Sequence, residues 1–217
     1  MYQRVIKRII DVILSGIAIV MLALPMLIIA LAIKIDDPGP VLFKQKRVGQ
    51  KKNGQITHFM IWKFRTMRVD TPHDAPTHEL SDPTKWITKV GAVLRKTSLD
   101  ELPQLFNIFS GKMSIIGPRP ALWNQFDLIE EREKYGANDV CPGLTGWAQI
   151  NGRDELEIPV KAKLDGEYVE RLSFGFDCKC FFGTITSVLK SDGVVEGGTG
   201  EMKKQEETEK EKEGVTK

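Results

Sequence analysis

The hydrophobic pattern begins with an uninterrupted apolar run over residues 12–33, which contains thirteen Ile, Leu and Val residues and no charged side chain. On membrane-insertion scales such a run gains roughly 4 to 8 kcal/mol from the bilayer, so we expect it to enter lipid. As a helix it would reach about 33 Å, which is enough to cross a hydrocarbon core of about 30 Å. Length alone therefore permits a membrane span.

The charges around this run favour a different path through the membrane. Basic residues precede the run at Arg4, Lys7 and Arg8, and follow it at Lys34, Lys44, Lys46, Arg47, Lys51 and Lys52. Because Lys and Arg next to membrane segments mark the cytoplasmic side, both ends are predicted to lie on that side. Pro25 lies inside the run, where it removes one backbone donor and bends a helix. The pattern therefore favours a re-entrant helix-break-helix that leaves the membrane on the side it entered, with the break at Pro25.

Two other interpretations of the apolar run stay open. A single-span anchor fits because proline is tolerated in helices that cross a membrane. A secretory signal peptide shares the basic start and the apolar stretch, and Ala30-Leu31-Ala32 could be a small-residue cleavage site. The run is, however, longer than the stretch of about 7 to 15 residues that is usual in signal peptides.

The remaining sequence predicts a mainly helical α+β fold. Residues 41–47 and 55–67 have strand composition, and Asn53-Gly54 between them is a strong hairpin signal. Residues 70–82 and the Gly-rich residues 142–153 are predicted loops. Periodicity predicts amphipathic helices at residues 86–94, 160–172 and 181–189, a helix burying Leu102, Leu105, Phe106 and Phe109, and a further helix with Leu122, Phe126 and Ile129.

This pattern divides the chain into three parts. Residues 1–35 are the predicted membrane segment, and residues 36–195 form one domain on the cytosolic face, which is long enough for a single core. In residues 196–217, Glu and Lys predominate and almost nothing is apolar, so we expect a charged, disordered tail.

The net charge of +2 conceals an uneven distribution, because basic residues concentrate near the apolar run. Such residues are attracted to anionic headgroups by about 1 kcal/mol each, and no nucleic-acid-binding signature is present, so we expect lipid and not nucleic acid as a partner. The cysteines Cys141, Cys178 and Cys180 are odd in number and lack framework spacing, which suits a reducing compartment. We expect Cys178 and Cys180 to be packed thiols.

Two adjacent carboxylates are the first candidates for chemistry. Asp100 and Glu101 precede Pro103, which can occupy the first turn of a helix, so both acids would lie at its positive end. A purely structural explanation exists, since Ser98-x-x-Glu101 matches a capping box. That explanation would place Pro103 in the second turn, where its ring clashes with the preceding turn. We therefore expect the helix to start at Asp100 or later.

Several basic residues could accompany these acids. Arg119 lies between Pro118 and Pro120, a rigid turn that would present a guanidinium to a phosphate or carboxylate, although the same pattern also stiffens ordinary loops. Arg95 lies just upstream of the acids. Further candidates are Arg153, which could equally cap a neighbouring carbonyl, and Lys63, which alternates with apolar residues as in many half-buried strands.

Five segments in this order closely resemble the monotopic polyprenol-phosphate phosphoglycosyl transferases, the bacterial sugar transferases that begin polysaccharide and glycan assembly. The segments are FKQKR (43–47), WKFRTM (62–67), residues 94–105, GPRP (117–120) and PGLTGW (142–147). The resemblance runs from about Arg4 to Leu189 and matches the minimal form of the family, a re-entrant helix with a catalytic domain. One departure is Leu24-Pro25, where the family often has a Ser-Pro pair.

The resemblance implies transfer of a sugar 1-phosphate from a UDP-sugar to polyprenol (undecaprenyl) phosphate, with release of UMP and a need for Mg²⁺. It implies that Asp100 is the nucleophile, forming a covalent aspartyl phospho-sugar, and that Glu101 is its dyad partner. The substrate-binding candidates are then Lys63, Arg95, Pro118, Arg119, Pro120 and Arg153. The expected location is the cytoplasmic face of the inner (plasma) membrane. Candidate protein partners are a second copy of the chain or downstream glycosyltransferases.

Elementary electrostatics agrees with the cofactor that the resemblance implies. A diphosphate approaching two carboxylates meets like charge, and Mg²⁺ prefers one or two carboxylates together with phosphate oxygens, so Asp100 and Glu101 are the candidate metal ligands. Other transferase and nucleotide-hydrolase classes are disfavoured, because the chain has no Asp-x-Asp triplet and no P-loop. The alternative from a different class is a noncatalytic membrane-surface adaptor.

Overall fold

The computed structural model describes residues 2–71, 83–152 and 156–189, and within these ranges the protein is mainly helical with two small sheets. The predicted mainly helical α+β class is confirmed at this level. Arg153 and the predicted tail of residues 196–217 lie outside the described residues, as does the predicted loop beyond Thr71 as far as residue 82.

The apolar run belongs to one long helix, α1 (Lys7–Asp36), which follows a π-helical turn at Tyr2–Ile6. Helical structure continues through Pro25, so the predicted helix-break-helix is not seen, and the re-entrant path that it implied is not confirmed. A proline removes only one backbone donor, and the hydrogen bonds of the neighbouring turns keep the helix continuous. By length and composition α1 could cross a membrane.

One face of α1 packs against the rest of the protein along its whole length. Near its start, Asp11 accepts a hydrogen bond from the Ile115 backbone N–H at 3.0 Å. In the middle Leu22 packs on two core clusters, and near the end the buried Ile33 belongs to the same cluster as Leu94. Other α1 residues in these clusters are Ala18, Ile19, Met26, Ile29 and Ala30. The domain therefore lies alongside the helix.

Both ends of α1 are also fixed to this domain by polar contacts. At the start, Lys7 Nζ lies 2.6 Å from the Asp177 carboxylate, a pair that is almost fully buried. At the end, Asp36 accepts a hydrogen bond from the Val90 backbone N–H at 2.9 Å, and Arg65 pairs with Asp37 at 2.6 Å. The beginning and the end of the apolar helix are thus held by one and the same domain.

The predicted hairpin is confirmed. Strands β1 (Leu42–Lys52) and β2 (Gln55–Phe64) pair antiparallel from Leu42 opposite Phe64 to Lys52 opposite Gln55. Asn53 and Gly54 both have positive φ, 51° and 77°, as a two-residue type I′ turn requires. The pairing is irregular between Val48 and Lys51.

Helix α2 (Lys89–Thr97) lies three residues later than the predicted helix at residues 86–94. The shift has a local cause, because Thr88 accepts a hydrogen bond from the Gly91 backbone N–H at 2.9 Å and so caps a later start. A separate 3-10 turn, Pro83–Trp86, precedes it. Ser98 ends α2 in the left-handed conformation, with φ of 55°.

Helix α3 (Gln104–Phe109) is shorter than predicted, and its buried face differs. Leu105 and Ile108 are buried in the core, whereas Phe106 and Phe109 are about half exposed. Expecting both phenylalanines on the buried face was wrong, because the core lies on the side of the buried polar residues Gln104 and Asn107. Because this buried side carries polar residues, the spacing of apolar residues does not identify it.

Behind α3, a parallel pair of short strands joins β3 (Ser114–Ile116) to β4 (Gly143–Thr145). The predicted loop at residues 142–153 thus contains a strand and the short helix α5 (Trp147–Ile150). The described chain also has α4 (Phe126–Glu133), α6 (Ile158–Glu170) and α7 (Phe174–Leu189). Cys180 is a fully buried free thiol in this region, and burial raises its pKa to about 11, as expected of a packed cysteine.

Candidate active site

The two adjacent acids lie in a 3-10 turn, Leu99–Glu101, between α2 and α3. Ser98 precedes this turn in the left-handed conformation and its side chain makes no cap hydrogen bond, so the capping box that the sequence allowed is not formed. Helix α3 begins after Pro103, which agrees with the expectation of a start at Asp100 or later. The acids are therefore not accounted for as helix caps.

Lys63, near the end of β2, reaches both acids. Its Nζ lies 2.9 Å from Glu101 Oε1 and 3.6 Å from Asp100 Oδ2. The side chain of Asp100 is only 5% exposed and that of Glu101 16% exposed, so these charges interact in a largely dry environment. The cation of the strand and the acids of the turn thus form one compact group.

Arg119 approaches the same group from another part of the chain. Its NH2 nitrogen donates to Glu101 Oε1 at 2.9 Å, so Glu101 receives one cation from β2 and another from the turn after β3. Of the predicted binding residues, Lys63 and Arg119 therefore contact the acidic pair directly.

The turn that presents Arg119 is rigid because its backbone is fixed on both sides. The Gly143 N–H donates to Pro118 O at 2.9 Å, and Arg47 donates to Pro120 O at 3.1 Å. A Cβ on Gly143 would lie 2.1 Å from the backbone nitrogen of Gly117, so β4 can approach this closely only with glycine. Pro118 and Pro120 are buried and act here through their backbone.

The two cations determine the protonation state of Glu101. Burial alone would raise the pKa of this carboxyl, but the charges of Arg119 and Lys63, together with their hydrogen bonds, outweigh burial and hold the pKa well below its ordinary value of 4.5. Glu101 is consequently ionised at neutral pH. An ionised carboxylate next to a second acid is a ligand set that suits a hard divalent cation.

Arg95, also predicted as a binding residue, lies in the last turn of α2 and is oriented by Thr66, two residues after β2. Its Nε donates to Thr66 Oγ1 at 2.9 Å. Thr66 O in turn accepts from the Thr88 N–H at 3.0 Å, and a Cβ on Gly91 would lie only 2.0 Å from this same oxygen. Close contact between α2 and the Thr66 backbone therefore positions the helix that leads into the acids.

Three further residues around the acids were not anticipated from the sequence. Thr66 orients Arg95, Asn107 joins α3 to the edge of β2, and Gln104, three residues after Glu101, is only 1% exposed. Gln104 and Asn107 repeat at three residues on α3, a spacing that can indicate a polar face. A hydrophobicity pattern assigns such residues to the surface and so does not reveal a buried polar face.

The acidic pair fits the magnesium ion that the resemblance implies. Among the described residues no group of three or more His, Cys, Asp or Glu side chains could hold a metal. Two carboxylates alone are compatible with Mg²⁺, which usually keeps several waters and takes its remaining ligands from substrate phosphates. Asp100 and Glu101 would be the protein ligands.

The sequence is similar to those of bacterial sugar transferases. The family model described as "Bacterial sugar transferase" matches residues 2–191. The chain is 40% identical over 190 residues to the "UDP-glucose:undecaprenyl-phosphate glucose-1-phosphate transferase" of Escherichia coli (strain K12), a match that covers 84% of this chain and 40% of that protein. It spans less than half the length of this relative.

Two smaller relatives are matched over nearly their whole length. The chain is 36% identical to the "Uncharacterized sugar transferase EpsL" of Bacillus subtilis (strain 168), with 88% of this chain and 90% of that protein covered. It is 40% identical to the "Exopolysaccharide production protein PSS" of Rhizobium leguminosarum bv. phaseoli, with coverage of 85% and 96%.

Proposed function

The chain belongs to the bacterial sugar transferase family, and from this membership we propose that it transfers a sugar 1-phosphate from a UDP-sugar to undecaprenyl phosphate. The products would be undecaprenyl diphosphate sugar and UMP. This would be the first membrane step in the synthesis of a polysaccharide or glycan. The observation that carries the proposal is the buried acidic pair Asp100 and Glu101, closed by Lys63 and Arg119.

In the proposed reaction the Asp100 carboxylate attacks the sugar-bearing phosphorus of the donor. A bond forms between the carboxylate oxygen and phosphorus, the bond from phosphorus to the UMP oxygen breaks, and UMP leaves with that electron pair. A phosphate oxygen of the polyprenol phosphate then attacks the same phosphorus. The bond to Asp100 breaks, and the carboxylate is regenerated.

The asymmetry of the described contacts supports Asp100 as the nucleophile. Lys63 and Arg119 both lie 2.9 Å from Glu101 Oε1, whereas Lys63 lies 3.6 Å from Asp100. Attack by Glu101 would break its two 2.9 Å ion pairs with Lys63 and Arg119, which makes Glu101 a poor nucleophile. Glu101 would instead hold the site together, and Asp100 would react.

The remaining charges suit a diphosphate substrate. Arg95 and Arg119 would bind phosphate oxygens of the donor, and Arg119 would do so while staying paired with Glu101. Mg²⁺ held by Asp100 and Glu101 would supply neutralisation of the diphosphate charge.

We propose further that the protein lies on one face of the membrane, the cytoplasmic face of the plasma membrane. The outward side of α1 is a continuous apolar surface, with Val20, Met21 and Leu24 all more than 60% exposed. Both ends of α1 are held by one domain. If α1 crossed the bilayer, parts of that domain would have to lie on both sides of the membrane or within it. This supports a monotopic arrangement in which the continuous helix α1 enters lipid only by its outward side.

Other apolar side chains extend the lipid-facing surface. Phe109 lies against Gly16 of α1, close enough that a Cβ there would come within 3.4 Å of its ring. On α7, Phe174, Phe181 and Phe182 are between 44% and 64% exposed. A polyprenol acceptor, whose tail stays in the bilayer, would approach a site placed at such a boundary.

Release of UMP is the experiment that tests the proposed activity. The full-length chain, in lipid nanodiscs with undecaprenyl phosphate and Mg²⁺, is incubated with a panel of UDP-sugars, and UMP is assayed. We expect UMP with at least one donor, and none from Asp100→Asn. Asp127→Asn, which changes an exposed aspartate at the start of α4, is the matched control and should behave as wild type. Membrane binding without UMP from any donor would instead favour the noncatalytic adaptor.

A further inference from the structure

Gln104, the first residue of α3, has a buried carboxamide nitrogen without a hydrogen-bond partner among the described residues. The residue is 1% exposed, and its Nε2 makes no hydrogen bond with any of the described residues. A buried amide in this condition has lost its hydrogen bonds to water without replacement, which is unfavourable for folding. Because this amide does not stabilise the unliganded protein, another role for it has to be considered.

Asn107, one turn later on the same side of α3, shows how a structural amide is satisfied here. Its Oδ1 accepts from the Trp62 backbone N–H at 3.0 Å, and its Nδ2 donates to Met60 O at 2.9 Å. The edge of β2 therefore offers backbone partners to this face of the helix. Asn107 takes two of them, and the amide of Gln104 takes none.

The position of Gln104 relative to the acids suggests the missing partner. Leu102 and Pro103 have right-handed helical backbone, so helical conformation connects the acidic turn to α3. Four residues along such a helical backbone rise about 6 to 8 Å, a distance that a glutamine side chain can span. Gln104 is therefore within reach of a group held at Asp100, and its helix packs on β2, the strand that carries Lys63.

We propose that the Gln104 carboxamide donates a hydrogen bond to a non-bridging oxygen of the phosphoryl group that is joined to Asp100. This inference rests on the proposed transfer. The bond from Asp100 to phosphorus forms as the bond to UMP breaks, and Gln104 changes no covalent bond. A preorganised donor in a buried site stabilises charge on the phosphoryl oxygens more than water would. The substrate would complete the hydrogen bonding that the unliganded protein lacks.

The test compares variants that separate activity from stability. Gln104→Leu and Gln104→Met remove the donor at similar volume, and Asn107→Leu removes a satisfied structural amide from the same helix face. For both Gln104 variants we expect kcat for UMP release to fall about 100-fold, with little change in KM for the donor. Their Tm should equal or exceed that of wild type, because an unpaired buried amide has been removed. Asn107→Leu should lower Tm.

A second readout follows the phosphoryl group itself. Without acceptor, intact-mass spectrometry of quenched reactions should show the phospho-sugar adduct forming more slowly in Gln104→Met than in wild type. The inference is overturned if the Gln104 variants turn over at the wild-type rate, or if their Tm falls as in Asn107→Leu with activity lost in proportion to folded protein. Failure of the proposed function would look different, since wild-type protein would then release no UMP.

Discussion

Lys63 and Glu101 form the closest described contact between the strand and the acidic turn, with 2.9 Å between Nζ and Oε1. Arg119 donates to that same oxygen at 2.9 Å. A single carboxylate oxygen thus joins β2, the acidic turn and the rigid turn after β3. Both the geometry and the ionisation of the site depend on this shared acceptor.

Removing one of the two cations should change how Glu101 titrates. In Arg119→Met, burial is opposed by Lys63 alone, so we expect the pKa of Glu101 to rise from well below 4.5 towards or above it. A lowered carboxyl pKa stabilises the fold fully above pH 4.5, and this contribution is lost as pH falls through the lowered value. In the variant the loss should begin at higher pH, seen as an acid-unfolding midpoint shifted upward.

The control for this shift is Lys134→Met, which removes an exposed cation that pairs with Glu131 away from the site. Its acid-unfolding midpoint should stay close to wild type, since exposed pairs contribute little. Identical midpoints in Arg119→Met and wild type would show that Arg119 does not control the ionisation of Glu101.

Gly91 should tolerate no side chain. Alanine there would place a Cβ 2.0 Å from Thr66 O, so α2 would have to move away from the Thr66 backbone, taking Arg95 and the acidic turn with it. We expect Gly91→Ala to lower both the unfolding free energy, by about 1 to 3 kcal/mol, and the rate of UMP release.

Gly175→Ala is the matched substitution. Gly175 lies in α7, and a Cβ at this position would have no neighbouring atom within 4 Å. Helix propensity predicts an unchanged or slightly higher unfolding free energy, by up to about 1 kcal/mol. Urea unfolding of the two variants checks the comparison. Equal stability of the two would contradict the close approach of α2 to Thr66.

The buried pair of Arg132 and Asp165 joins α4 to α6. The two side chains are 4% and 1% exposed, and Arg132 NH2 lies 2.6 Å from Asp165 Oδ2. Arg132→Met would leave a buried carboxylate without its cation, at a cost of about 3 to 5 kcal/mol. Adding Asp165→Leu should recover much of this loss, because no unpaired charge then remains. If the double variant is no more stable than Arg132→Met in urea unfolding, the loss in Arg132→Met does not come from the unpaired Asp165 carboxylate.

The outward side of α1 should govern membrane binding without supporting the fold. Val20→Asn with Leu24→Asn replaces two side chains that are 77% and 66% exposed. Each apolar group withdrawn from lipid costs about 1.5 to 3 kcal/mol, so vesicle sedimentation should show much weaker binding at unchanged Tm. Val160→Asn, an exposed position on α6, serves for comparison and should bind as wild type. If the double variant binds vesicles as well as wild type, the outward side of α1 is not the membrane-binding surface.

The elements that the sequence predicted best were those with a short-range cause. Asn53-Gly54 specifies its hairpin turn almost alone, and the apolar run had to be one membrane-length segment. Asp100 and Glu101 stay candidate site residues, and their adjacency in the chain is enough to place both in one turn. These features needed no knowledge of distant contacts.

The features that escaped prediction depend on long-range packing. Whether a helix ends at Pro25 is decided by the turns around it and by the domain packed alongside, which the sequence does not display. The buried side of α3 is set by Asn107 reaching the β2 edge, so Phe106 and Phe109 face outward despite their spacing. The strand β4 exists only because β3 passes beside it.

The proposed transfer depends on a covalent phospho-sugar at Asp100, and peptide mass spectrometry of a quenched reaction without acceptor tests this intermediate most directly. In wild-type protein given a productive UDP-sugar, we expect the peptide containing Asp100 to gain the mass of the sugar phosphate, and the corresponding peptide of Asp100→Asn to gain nothing. An adduct on another residue, or steady UMP release by Asp100→Asn at the wild-type rate, would contradict it.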